Sequence, residues 1–141
     1  MTTADLNSIA LMENIAQSRP SQRCRVAFPL QWMHGTKDSA TVYFELEPKE
    51  EVGSHTDSAE EILLVLEGSV EATVGEETVH AEKGQLVLVP KMVPHNVKNT
   101  GSSTARIFGF FGGANSIVAT FDHGWGPEGE RIFDTAALVA S

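Results

Sequence analysis

Positive charge is scarce in this chain. Lysine and arginine number 10 against 19 aspartates and glutamates over 141 residues, a formal net charge of −9. A nucleic-acid binder needs a basic face to neutralise phosphates, so DNA and RNA are excluded as expected partners. Cysteine is scarcer still. Cys24 stands alone, so no internal disulfide can form and the fold does not depend on oxidation. Long apolar runs are missing too. The longest, Ile62 to Leu66, is far too short to cross a bilayer, and no membrane partner is expected. No basic residue precedes Arg19, so the start lacks the charged region of a signal peptide. The cytoplasm is the expected location.

What is present reads as one all-β domain. From residue 25 onward, stretches such as "ATVYFELEP", "EILLVLEGSVEATVG", "QLVLVP" and "ARIFGFFGG" are rich in β-branched and aromatic residues. Gly53, Gly75, Gly84, Pro90, Gly101 and Gly112 break them at short intervals. Many short strands with evenly spaced turns predict a sandwich or a closed barrel. Ahead of them, "ADLNSIALMENIAQ" (4–17) places Leu6, Ile9, Ala10 and Glu13 at helical spacing, which predicts a short N-terminal helix. The segment "DHGWGPEGE" near the C-terminus reads as loop.

Residues 61–74 read as one strand. Its first half is apolar on both faces: Leu63 and Val65 on one, Ile62, Leu64 and Leu66 on the other. A sheet with one wet face alternates, so a second layer is expected over the outer face. In a small domain that layer is a second subunit, and a homodimer is expected.

Two segments carry ionisable residues where strands begin. "SHTDSAEE" supplies His55, Asp57 and Glu61; "PHNVKN" supplies His95 and Asn99. Alternation puts His55 and Asp57 on one side of an extended segment, and Glu61 shares their parity. Imidazole and carboxylate ligands suit a divalent first-row metal. His80 is expected at the surface. His34 and His123 have no partners at ligand spacing, and His34, beside Trp32 and Met33, is a candidate for the mouth of the interior. Trp32, Tyr43, Phe44, Met92, Phe108, Phe110 and Phe111 fall on predicted strands, and one parity set of them must face the interior.

These residues resemble the two motifs of the cupin superfamily, small jelly-roll β-barrels. In the first motif the chain gives His55, Asp57 where the family has a second histidine, Glu61 and Gly68. In the second it gives Gly84, Pro90, Met92 where the family has glycine, His95 and Asn99. Lys49 stands where the first motif opens on glycine. The resemblance implies a cupin barrel over residues 23–141 after a helical extension over 1–22. It implies a metal held by His55, Asp57, Glu61 and His95, with Fe(II) favoured and Mn, Ni or Zn as alternatives. Asparagine 99 is a structural turn residue in the family.

Asp57 changes the charge of such a site. Two imidazoles, two carboxylates and a divalent ion sum to zero, where three imidazoles and one carboxylate leave +1. Aspartate is also shorter than histidine. Either it ligates, or it stops short and serves as a neighbouring base, leaving His55, Glu61 and His95 as a two-histidine, one-carboxylate triad with open positions. The resemblance to quercetin dioxygenase-like and diketone-cleaving cupins implies an Fe(II) dioxygenase acting on a small aromatic or carbonyl compound, with Asp57 and Glu61 as catalytic groups. A metal-dependent isomerase or lyase, and a non-catalytic ligand-binding cupin, are the alternatives.

Overall fold

The computed structural model describes residues 1–138. Twelve strands form two six-stranded sheets that face each other. Along the chain they are β1 (Met12–Ile15), β2 (Arg23–Ala27), β3 (Ser39–Leu46), β4 (His55–Asp57), β5 (Glu61–Glu67), β6 (Ser69–Val74), β7 (Glu77–Glu82), β8 (Leu86–Val89), β9 (His95–Asn99), β10 (Ala105–Gly112), β11 (Val118–Trp125) and β12 (Glu130–Asp134). One sheet runs β1-β2-β3-β10-β5-β8, the other β12-β11-β4-β9-β6-β7. All named pairings are antiparallel. Only an isolated bridge, Ala16 with Gly126, and no ladder of paired strands joins the edges of the two sheets, so the expected barrel is a sandwich.

Alternation builds the core. Val42, Phe44 and Leu46 of β3, Leu63 and Val65 of β5 and Ile107 and Phe111 of β10 point inward from the first sheet. Val70 and Ala72 of β6, Val97 of β9 and Ala119 and Phe121 of β11 meet them from the second. Cys24 is buried among them, and burial pushes its thiol up to about 12, with the Glu50 carboxylate adding to the shift. It is a packing residue, as expected of a lone cysteine.

Several expectations fail for identifiable reasons. The N-terminal helix does not form. Residues 6–8 make a turn, and Met12–Ile15 pairs with β2 in the register Met12↔Val26 to Ile15↔Arg23. The weak helical spacing is overridden by the backbone partners that β2 offers. The strand 61–74 is two strands in different sheets. Gly68 (φ +86) turns the chain between them, and a Cβ there would lie 2.9 Å from the Ala105 Cα. The "DHGWGPEGE" segment is mostly a hairpin, in which Trp125 pairs with Glu130 across a turn bearing Gly126 (φ +68) and Gly129 (φ +67). Trp32 lies in a 3₁₀ turn, Trp32–His34, rather than a strand, and Met92 lies in a tight turn.

Candidate metal centre

The chain crosses from one sheet to the other at residues 58–60, between β4 and β5. That crossing puts His55 and Asp57 on one wall of the interior and Glu61 on the opposite wall. His95, at the start of β9, pairs directly with His55. All four side chains are buried. Parity along one strand does not bring Glu61 to the others; the change of sheet does.

Both imidazoles are oriented from behind. His55 Nδ1 lies 2.7 Å from the Gly53 carbonyl and His95 Nδ1 2.9 Å from the Val93 carbonyl. A carbonyl can only accept, so each Nδ1 carries a proton and each Nε2 faces the cavity, open to a metal or to a second proton. Asp57 Oδ2 lies 3.5 Å from the His55 Nε2 and 3.0 Å from the His95 Nε2. Glu61 Oε1 is 3.6 Å from the same His95 nitrogen. Asp57 Oδ2 and His95 Nε2 are both buried with no hydrogen-bond partner. Buried polar atoms left unpaired are costly. Imidazole nitrogens converging on a carboxylate oxygen call for a cation between them.

The donor set fits a divalent metal. Ligand atoms of His55, Asp57 and His95 lie within 4.8 Å of one another, with Glu61 alongside. Despite its shorter side chain, Asp57 reaches this cluster. Without a metal, a proton takes the same place. Burial opposes charge on His95, but the Asp57 and Glu61 carboxylates facing its Nε2 outweigh it and raise the imidazole to about 10. Burial likewise raises the Asp57 carboxyl, and the two histidines outweigh it and hold it at about 2. Burial pushes Glu61 upward, with the Asp57 charge adding to the shift against the pull of His95.

Two supports were hidden in the sequence. Gly109 of β10 faces Glu61, and a Cβ there would lie 2.4 Å from the Glu61 carboxylate and 2.7 Å from Val42. A hydrogen at this position is what leaves the carboxylate its room. Behind His55, the Gly53 N–H donates to the Asn96 Oδ1 (2.8 Å), and the Asn96 amide donates to buried Glu51 (3.1 Å), which pairs with Arg19. The carbonyl that orients His55 is thus anchored through its own residue.

The centre opens into a cavity of about 340 Å³. Its walls include Phe28, Phe44, Phe111, Phe121, Trp125 and Phe133, and Asn14, Glu128 and Glu130 stand at its rim. Phe44 and Phe111 therefore belong to the inward set, while Phe110 is exposed on the outer face. His34 does not line this cavity; its Nδ1 accepts the Gln31 N–H at 3.0 Å. His80 is exposed on β7, as expected, and His123 contacts Ser18. Asn99 is structural, donating to the Leu46 and Ser103 carbonyls and accepting from the Gly101 N–H.

The cupin-domain family profile matches residues 42–111, the span that carries both motifs. The chain belongs to the cupin superfamily. Solved cupin-fold structures align over most of its length. A proposed sugar phosphate isomerase from Acidithiobacillus ferrooxidans is 16% identical over 100% of this chain and 96% of its own, with a TM-score of 0.66. A predicted oxalate decarboxylase from Thermotoga maritima is 18% identical over 79% of this chain and 98% of its own, at 0.65. A polyketide cyclase from Streptomyces resistomycificus is 18% identical over 79% of each chain, at 0.64. At such identities the likeness is one of fold. No curated protein sequence matches this cupin. None of its helices, among the described residues, is long and apolar enough to cross a membrane.

Proposed function

We propose that this cupin is a metal-dependent oxidoreductase of the dioxygenase-like kind, acting on a small organic compound. The observation that carries the reading is the convergence of the His55 and His95 Nε2 atoms on an unpartnered Asp57 oxygen. These three residues would hold the ion with Glu61. Fe(II) is favoured by the carboxylate-rich set, with Mn, Ni and Zn as alternatives. Such an ion supplies Lewis acidity and open positions where a substrate and O₂ can meet.

The chain's own groups do the rest. Gly53 and Val93 hold the imidazoles in one tautomer. The apolar walls exclude water from the reacting end of the substrate. Asp57, central to both Nε2 atoms, is the better-placed ligand, and Glu61, whose carboxyl burial pushes upward, is the group that would exchange a proton when not bound to the ion.

That last feature also favours a second reading, a metal-dependent isomerase or lyase that moves a proton beside a polarised carbonyl. The names of the structural neighbours, a cyclase, a decarboxylase and an isomerase, do not choose between the two. Oxygen uptake during turnover of a screened substrate decides. Stoichiometric consumption supports the dioxygenase; turnover of the same substrate under argon at an unchanged rate rejects it in favour of the proton-transfer reading.

A further inference from the structure

The cavity's charge census is one-sided. Among the described residues, no lysine or arginine lines it. Its ionisable groups are the four of the metal centre, the buried Cys24 thiol, which burial keeps neutral, and, at the rim, the exposed carboxylates of Glu128 and Glu130. The adjacent cation on β12, Arg131, donates its Nε to the Phe121 backbone carbonyl at 2.8 Å and does not line the cavity. We propose that this pocket admits small, ring-bearing molecules without negative charge and turns anions away. The proposal rests on the pocket being the substrate chamber of the metal centre, and narrows what that chamber accepts.

Three physical arguments converge. A site built for a carboxylate or phosphate offers Arg or Lys as a charge-assisted donor, and this one offers none. Two carboxylates and two imidazoles already neutralise a divalent ion. An anionic ligand would therefore leave a net negative charge among apolar walls, where an unpaired charge is costly. On the way in, it would pass Glu128 and Glu130, which frame the mouth and repel it.

The walls supply the rest of the specificity. The Phe121 ring stacks on the His55 imidazole at 4.5 Å between centroids, and Trp125 meets Phe121 edge-on at 5.3 Å. Phe28 and Phe133 stack at 5.3 Å. A ring inside this frame finds both aromatic faces and edges. At about 340 Å³, the chamber lies at the small end of ligand pockets, suited to a compact bicyclic molecule rather than an extended chain.

The test uses two probes with one ring system: 2-naphthol and 2-naphthoate. Equilibrium dialysis at neutral pH is run on chelator-stripped protein and on protein loaded with Zn(II), with metal content measured on the same samples. Naphthol should bind at least tenfold more tightly than naphthoate in both forms. Replacing both rim carboxylates, Glu128→Gln with Glu130→Gln, should strengthen naphthoate binding about two- to threefold per charge removed. Naphthoate binding as tightly as naphthol, in either form, overturns the proposal, as does the absence of binding by both. Metal content separates the two readings. Protein that holds zinc yet prefers naphthoate keeps its metal centre and loses this selectivity, while zinc-free protein that prefers naphthol keeps the selectivity and loses the metal centre.

Discussion

His95 Nε2 lies 3.0 Å from the Asp57 Oδ2, yet neither buried atom has a hydrogen-bond partner. The contact is close in distance and poor in direction. A cation, whether a proton or a metal, is what both atoms lack.

That competition sets a pH dependence. In metal-free protein, His95 titrates at about 10 instead of its ordinary 6.5. Its contribution to stability is complete below pH 6.5 and is lost as pH rises through 10, because the folded state binds the extra proton in that interval. Asp57, held at about 2 against an ordinary 3.8, contributes above pH 3.8 and loses that contribution as pH falls through 2. Urea unfolding of chelator-treated protein should thus show declining stability from pH 6.5 towards 10. Metal must displace the His95 proton, so apparent affinity should rise by up to tenfold per pH unit over the same interval. An affinity flat from pH 6.5 to 9 would show that His95 is not titrating at the site.

Gly109 makes a second prediction. Gly109→Ala places a methyl where the Glu61 carboxylate and Val42 now sit. Overpacking of this kind costs about 1–3 kcal/mol. Displacing the carboxylate should also weaken metal binding by roughly tenfold, the size of effect that supporting residues have on metal sites. Competition against a fluorescent chelator measures it. Unchanged affinity would remove Glu61 from the centre.

Lys49 and Met92 are the two non-glycine residues with positive φ among those described, at +74° and +63°. Both stand where the cupin motifs carry glycine. The backbone keeps the left-handed conformation the motifs require, at a cost of about 1–2 kcal/mol for a residue with a Cβ. Met92 is further tied in place by its N–H, which donates to the Asp57 carbonyl at 2.9 Å. Met92→Gly should therefore raise the denaturation midpoint. The opposite shift would mean that Met92 packs against something worth more than the strain.

The outer face of the first sheet makes a fourth. Register aligns Phe110, Ile62 and Leu88 in one row and Phe108, Leu64 and Leu86 in the next. Leu86 is 65% exposed, Leu88 57%, Phe110 41% and Ile62 39%. An uncharged patch this continuous on a chain of net charge −9 is suited to covering by its own copy through a two-fold contact. Light scattering at low micromolar concentration should give twice the chain mass, and Leu88→Lys should halve it. A monomer before substitution contradicts the dimer.

Much of this was legible in the sequence, and the failures are instructive. Strands such as β3 and β10 announce themselves through β-branched and aromatic residues, and the four ionisable residues through motif spacing. Pairing with β2 is a long-range gain, so the sequence of β1 alone suggests a weak helix. Gly68 is legible as the glycine that closes the first motif, but only the approach of Ala105 shows why nothing larger passes there. Gly109 carries no signal because its role is to leave space for a side chain distant in sequence. The rim carboxylates Glu128 and Glu130 were hidden in a segment that reads as loop and folds mostly as a hairpin, stitched to β1 by the Gly126 N–H and the Ile15 carbonyl at 2.8 Å.

The central claim is that His55, Asp57 and His95, with Glu61, hold one divalent metal. Elemental analysis of untagged protein, incubated with Fe(II) or Mn(II) under argon and freed of excess ion, tests it most directly when paired with His95→Ala. The parent should retain close to one equivalent per chain and the variant almost none, with both folded by circular dichroism. A folded His95→Ala protein that keeps a full equivalent, or a parent that keeps none, would contradict the account.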